Sequence, residues 1–313
     1  MVKGDIKMGS GGGGYYIPSK TLSQLEKEKQ ERLEKEKSEA AINQLIKNYF
    51  QQINDRDIDG INRHLETIKS AIGKDIEGFV ELKYGGSINK STYSTGISDV
   101  DMLVQLNNSE LSSANPFEVL KRFKQQIQKR LPKTEVKIGK LAVTVKFTSG
   151  HEIQLLPSIK TETGYRIPRP GVNQWSNVIK PRKFAEKLTK VNKSNNNKII
   201  PMIKLIKNIN ANLPKQRQLS GYHIESLAID AFKNPQNTPK TYKGMIEHFC
   251  RHSQSAVLKP ITDSTGQSIH ADSYLGNANS IDRQRASNTF KQLIKKIEQA
   301  DSVDKWKDLF DKN

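Results

Sequence analysis

The sequence predicts an α+β chain in two parts, a lobe built on a mixed sheet followed by a helical lobe. Three observations predict it. Short runs rich in β-branched residues alternate with helical patterns up to Pro157, and beyond Pro181 the apolar residues recur only at helical spacing. Between these regions lies an irregular stretch around Pro168-Arg169-Pro170-Gly171. A length of 313 residues independently favours two domains. The boundaries read from these shifts are a flexible segment 1–20, a sheet-bearing lobe 21–175 with a long leading helix, and a helical lobe 176–313. A ligand is expected in the cleft between the lobes.

Taken in order, residues 1–20 contain the run Gly11 to Gly14, the composition of a flexible segment. From Leu22 to about Ile53 the pattern is helical. Glu26 to Glu39 places six Glu and five Lys/Arg in near alternation, the mark of a solvent-exposed helix with i,i+4 pairs. Ala40, Ile42, Leu45, Ile46 and Phe50 then form an apolar stripe. Ile61 to Ile72 reads as a second helix. A short strand is expected from near Asp99 to Val104, and Asn115 is placed to cap a helix from Pro116 to about Leu131. Val136 to Ile138, Leu141 to Phe147 and Ile153 to Leu156 read as strands, and after Pro157 strand signals become sparse. Helices are expected over Phe184–Val191, Ile199–Leu213, Gly221–Phe232, Tyr242–His252 and Ile281–Ala300, with a short one near Trp306.

Composition narrows the class of function. No apolar run is long enough to span a membrane, and the N-terminus has no apolar core of a secretory signal, so a cytoplasmic protein is expected. Cys250 is the only cysteine, which excludes an internal disulfide and a cysteine-rich zinc site. The net charge is +18, and from Ser176 to Ser220 eleven Lys/Arg accompany one acid, Glu186. So concentrated a positive field suits polyphosphates or nucleic acid, although many basic runs are simply solvated helix faces.

The segment that carries chemistry is Tyr84-Gly85-Gly86-Ser87, followed after eleven residues by Asp99-Val100-Asp101. Side chains alternate along a strand, so Asp99 and Asp101 share a face and offer hard oxygen ligands suited to magnesium. Gly85 and Gly86 let backbone approach a polyphosphate, and Ser87 can donate to its terminal phosphate. Two metals so held would activate an attacking hydroxyl and stabilise departing pyrophosphate. Each part alone is unspecific; the combination, leading into the apolar Met102-Leu103-Val104, is not. His223, His248, His252 and His270 show no convincing metal-ligand spacing.

On these residues the chain resembles the polymerase β-like nucleotidyltransferases, whose pattern is Gly-(Gly/Ser), a spacer, then acid–hydrophobic–acid. Within them it is most similar to the bacterial cGAS/DncV-like cyclic-oligonucleotide synthases of antiphage signalling. Ile203-Lys204-Leu205-Ile206-Lys207 and Ser220-Gly221-Tyr222-His223-Ile224-Glu225-Ser226-Leu227 resemble helical segments of the same group. The resemblance implies a nucleotide held by Gly86, Ser87, Lys204, Lys207, Ser220 and Tyr222, with Lys207 facing the triphosphate. Asp263 and Asp272 are candidates for reading the base edge. It also implies metal ligation by Asp99 and Asp101, with Mg²⁺ as cofactor and Mn²⁺ able to substitute.

One departure matters. The family's third carboxylate stands three residues before a Pro, and in Glu152-Ile153-Gln154-Leu155-Leu156-Pro157 that position is Gln154. Its carbonyl oxygen can ligate a metal but carries no charge and cannot act as a base. Glu152, two residues upstream, lies on the same strand face and is the other candidate. The implied reaction joins NTPs into a cyclic di- or oligonucleotide second messenger that signals to a separate effector, with a regulatory nucleic acid or protein on the basic surface. The rival readings are template-independent extension of an RNA 3′ end and a non-catalytic nucleotide or nucleic-acid binding module.

Overall fold

A computed structural model describes residues 21–54, 57–73, 78–84, 100–169, 171–261 and 272–310. Two helices lead the chain, α1 (Leu22–Asn54) and α2 (Ile58–Gly73), followed by strands β1 (Gly78–Tyr84) and β2 (Val100–Ser109). Helix α3 (Pro116–Arg130) connects to β3 (Glu135–Ile138), β4 (Val143–Lys146), β5 (Glu152–Lys160) and the short β6 (Tyr165–Arg166). The rest is helical: α4 (Pro181–Ser194), α5 (Ile199–Ala211), α6 (Gly221–Ala231), α7 (Tyr242–Ala256), α8 (Ile281–Gln299) and α9 (Val303–Phe310).

Sheet order among the described residues is β1-β2-β5-β4-β3, with β6 paired to β5. Only β2 and β5 run parallel; the β1/β2, β3/β4, β4/β5 and β5/β6 pairs are antiparallel. The parallel pair needs a long crossover, supplied by α3 and the β3–β4 hairpin. Asn115 caps α3 as expected, its side chain accepting from the Glu118 amide at 3.0 Å, with Pro116 in the first turn. Val100, Met102, Val104, Leu106, Val143, Val145, Ile153 and Leu155 form one buried face of the sheet, packed with Ile68 and Ile72 of α2 and with Phe123 and Ile127 of α3. The alternate residues therefore lie on the opposite face.

Four strands differ from expectation: β2 runs past Val104 to Ser109, β6 forms where strand signals were sparse, and β1 and β5 differ as well. β1, which the sequence left unassigned, is an edge strand whose Leu82 pairs with buried Val104 while Glu81 and Lys83 take the other face. β5 does not stop at Pro157 but continues to Lys160. Pro157 pairs with Val104 of β2 and falls between the last β4 pair, at Leu155, and the first β6 pair, at Ile159. Its missing N–H therefore breaks no ladder on that side.

The second core belongs to the helical lobe, and α1 joins it. Ile42 and Ile46 are fully buried in the helical-lobe core, where α1 packs against α5, α7 and α9. Tyr49 packs on Phe310 and Phe50 on Tyr242, each pair with ring centroids 4.8 Å apart. Helix α1 thus packs its apolar stripe on the helical lobe. Its first half, Leu22 to Lys37, is exposed and carries pairs such as Arg32–Glu36 at 3.0 Å. No described helix is long and apolar enough to cross a membrane.

If α1 is part of the helical core, Ile46→Ala should lower unfolding free energy by about 2–5 kcal/mol in urea titration. Leu25→Ala, in the exposed half, should change it by no more than about 0.5 kcal/mol. Equal small effects would detach α1 from the core.

Candidate active site

The face of the sheet away from α2 and α3 carries the candidate chemistry. Parallel register places Asp101 of β2 directly opposite Gln154 of β5. Neighbouring strands are about 4.8 Å apart, so the two side chains lie within reach of one cation. Both are half-buried, neither sealed in the core nor fully solvated. On the other side of β5, Thr144 pairs with Gln154 and Lys146 with Glu152. Lys146 Nζ lies 2.8 Å from Glu152 Oε1, and that contact raises the Lys146 pKa above its ordinary value. Glu152 thus shares the face of Gln154 but is engaged by a lysine, whereas Gln154 stands beside Asp101. Further along the same face Lys83 contacts Glu81 at 2.9 Å and Gln105 at 3.3 Å.

Gly86, Ser87 and Asp99 of the motif lie outside the described residues, as does Asp263. Among the described residues no three His, Cys, Asp or Glu side chains group as metal ligands. Asp101 and Gln154 nonetheless fit a divalent cation, because they present a carboxylate and an amide oxygen from adjacent strands, the hard donors that magnesium takes.

The second group lies in the helical lobe, where α5 meets the start of α6. Ser220 is the N-cap of α6, its hydroxyl accepting from the His223 amide at 3.2 Å. Ser220 and Gly221 are exposed and Tyr222 is half-buried, stacked at 4.6 Å on Phe184 of α4. A Cβ on Gly221 would lie 3.5 Å from Lys207 Nζ, so the ammonium sits immediately beneath the first turn of α6. A cation beside exposed helix-start amides and a serine hydroxyl is an anion-attracting arrangement. Lys204 and Lys207 are each only 6% exposed, not surface cations. Lys207 Nζ is held by Glu225 Oε1 at 2.9 Å. Sequence reasoning missed Glu225, yet a signal existed: it is the only acid between Glu186 and Asp230, and a buried lysine requires a countercharge.

Asp272, expected at a base edge, is fully buried. Arg283 Nη1 lies 2.6 Å from its Oδ2, and the Ile261 amide donates to both of its oxygens. This carboxylate anchors the interior, because Arg283 and the backbone take up its acceptor positions. His223, also fully buried, lies between this pair and the start of α6: its Nδ1 is 3.0 Å from the Tyr274 hydroxyl and its Nε2 is 3.8 Å from Asp272 Oδ2. Burial pushes the His223 pKa down to about 4, opposed by the Asp272 charge and reinforced by that of Arg283.

The basic stretch resolves into two kinds of cation. Lys204 and Lys207 are internal, while Arg182, Lys183, Lys190 and Lys193 are exposed on α4. An open groove of about 630 Å³ runs along α4, lined by Arg182, Glu186, Thr189, Lys190 and Lys193 among others, none of them a predicted site residue.

Residues 37–192 match the family profile described as Second Messenger Oligonucleotide or Dinucleotide Synthetase domain. No curated protein matches the chain. Several solved structures share its fold. The Elizabethkingia meningoseptica CdnE cyclic dinucleotide synthase, solved with GTP and Apcpp, is 14% identical with a TM-score of 0.61, over 80% of this chain and 97% of that one. The Bradyrhizobium diazoefficiens CD-NTase CdnG, in complex with GTP, is 12% identical with a TM-score of 0.63, over 87% and 94%. The Vibrio cholerae DncV cyclic AMP-GMP synthase, in complex with a linear intermediate, is 10% identical with a TM-score of 0.60, over 93% and 90%.

The buried imidazole has a pH consequence. Unfolded His223 binds a proton below its ordinary 6.5, whereas folded His223 stays neutral until about 4. Acid therefore favours the unfolded chain across that window, and stability falls as pH drops through it. His223→Asn removes the effect, so its unfolding free energy should fall by about 3 kcal/mol less than wild type between those limits. Parallel pH profiles for the two proteins would show that His223 is not buried neutral.

Proposed function

We propose that the chain is a nucleotidyltransferase that joins NTPs into a cyclic di- or oligonucleotide with release of pyrophosphate, because residues 37–192 match the Second Messenger Oligonucleotide or Dinucleotide Synthetase profile and the fold is that of the cyclic dinucleotide synthase structures. The observation that carries this reading is the β2/β5 register, which sets Asp101 beside Gln154 on the open face of the sheet inside the matched domain. In the reaction a ribose hydroxyl of one nucleotide attacks the α-phosphorus of another. The bond from that phosphorus to the bridging oxygen breaks, and pyrophosphate departs. Repetition within one site closes the ring. The product is a diffusible messenger for a separate effector, and a role in antiphage defence follows from the family resemblance.

Asp99, Asp101 and Gln154 would hold Mg²⁺, with Mn²⁺ able to substitute. When bound, the metal neutralises phosphate charge and eases ionisation of the attacking hydroxyl. The protein's own groups do the remainder. Asp101 supplies negative charge and Gln154 a neutral oxygen, so this position cannot take up a proton as a carboxylate would. Glu152 is tied to Lys146, which favours Gln154 over it as the third ligand. In the helical lobe Ser220, Tyr222 and Lys207 would face the triphosphate together, and the family resemblance adds Gly86 and Ser87 of the motif as further phosphate-binding residues. The exposed cations of α4 suit a regulatory polyanion, and they equally favour the second reading, extension of an RNA 3′ end. Incubation with labelled NTPs and Mg²⁺, with and without RNA, separates the readings. Small phosphatase-resistant products mark the cyclase and lengthened RNA the transferase, while retained NTP binding without turnover marks a binding module.

Asp101→Asn should cut turnover at least about 100-fold without unfolding the protein, since it removes charge from an open face and no core contact. Gln154→Asp should preserve or raise activity and lower the Mg²⁺ requirement, Gln154→Ala should raise that requirement, and Glu152→Gln should be tolerated. These are read by Mg²⁺ titration of product formation. A large loss in Glu152→Gln with no effect in Gln154→Ala would move the third ligand to Glu152.

A further inference from the structure

Behind the start of α6 lies a row of polar groups that reaches into the helical lobe. The Tyr274 hydroxyl lies 3.0 Å from the Ser220 backbone nitrogen and 3.0 Å from His223 Nδ1. His223 Nε2 is buried with no hydrogen-bond partner among the described residues and faces Asp272 at 3.8 Å. Behind Asp272 stands Arg283, fully buried, whose other contacts are the carbonyls of Val257, Lys259, Gly276 and Asn277 at 3.0–3.1 Å.

Charge decides which way the protons point. The Asp272 carboxylate favours the imidazole tautomer with its proton on Nε2, leaving the Nδ1 lone pair available. The Tyr274 O–H then donates to Nδ1, and its oxygen accepts from the Ser220 N–H. Ser220 is thus gripped twice, through its amide by Tyr274 and through its hydroxyl oxygen by the His223 amide. It is also the exposed residue at the head of α6, next to Gly221 and the Lys207 ammonium beneath it. Tyr274 is 48% exposed, and its hydroxyl makes both polar contacts to the head of α6.

We propose that Tyr274 is a positioning residue for nucleotide binding: by bridging Ser220 and His223 it holds the head of α6 over Lys207, so that an incoming phosphate meets donors already aligned. The assignment rests on the reading of this helix start as the triphosphate site. Alignment before binding raises affinity by removing an ordering cost from the binding step.

The test compares wild type, Tyr274→Phe, His223→Asn and His223→Leu. Calorimetric binding of non-hydrolysable ATP and GTP analogues with Mg²⁺ is measured beside thermal unfolding and hydrogen exchange at the Ser220 amide. Tyr274→Phe should weaken binding about 3- to 10-fold, the worth of one net hydrogen bond, and quicken Ser220 exchange. KM should rise in step while kcat stays within about twofold, the sign of lost binding and not lost chemistry. His223→Asn puts an amide oxygen near the place of Nδ1 and should keep affinity near wild type, whereas His223→Leu should behave as Tyr274→Phe does. Unchanged binding in Tyr274→Phe overturns the assignment, as does a loss that only tracks thermal stability across all three variants. A wild-type protein that binds neither analogue overturns the nucleotide reading itself, a result distinct from wild-type binding that Tyr274→Phe leaves intact.

Discussion

The parallel pairing of β2 with β5 is the constraint on which the candidate site depends. All other strand pairs in the described sheet are antiparallel. A parallel pair obliges the chain to cross over between its members, and here that crossover contains α3, which covers the apolar face with α2. Once Val100, Met102 and Val104 pack beneath those helices, side-chain alternation commits Asp101 to the other face. The same rule applied to Ile153 and Leu155 commits Gln154, and the register brings the two side by side. A slip of one residue would turn Asp101 inward and leave a buried, uncompensated charge, so the apolar core enforces the polar geometry.

The helical lobe solves a different problem, that of charge in the interior. Lys207 with Glu225, and Asp272 with Arg283, are ion pairs at or near full burial. Such pairs contribute little net stability, because desolvation offsets much of their attraction, but loss of one partner strands the other. Their value lies in direction. Glu225 fixes where the Lys207 ammonium stands under Gly221, and Arg283 fixes the carboxylate that faces His223. The first turn of α6 thereby receives its surroundings from residues far along the chain, including Tyr274 and Arg283. Lys207, Glu225, His223, Asp272 and Arg283 behind that turn are all buried.

Exposed charge follows another rule. On the first half of α1, cations are met by acids one turn away, as in Lys27–Glu31 and Arg32–Glu36, and the surface is close to self-neutralised. On α4 five Lys/Arg accompany one Glu, so a net positive field remains. Both stretches are conspicuous in the sequence, yet only the second is unbalanced.

Periodicity alone determined most elements here: the helices from Pro181 onward, the Asn115 cap, and the strands around Val136, Val143 and Ile153. These patterns are local, and capping and apolar spacing act within a few residues. Strand alternation put Asp99 and Asp101 on one face, and the family resemblance, through the distance from Pro157, pointed to Gln154. Partnership across the fold was beyond the reach of the sequence. β1 is a strand only because β2 accepts it, and β5 runs past Pro157 only because that residue falls between β4 and β6. The sequence offers Lys207 as a cation for the triphosphate and Asp272 as a candidate for the base edge, but not their buried pairing with Glu225 and Arg283. In each case the deciding energy is desolvation, which depends on what surrounds a side chain in space and not on which residues precede it.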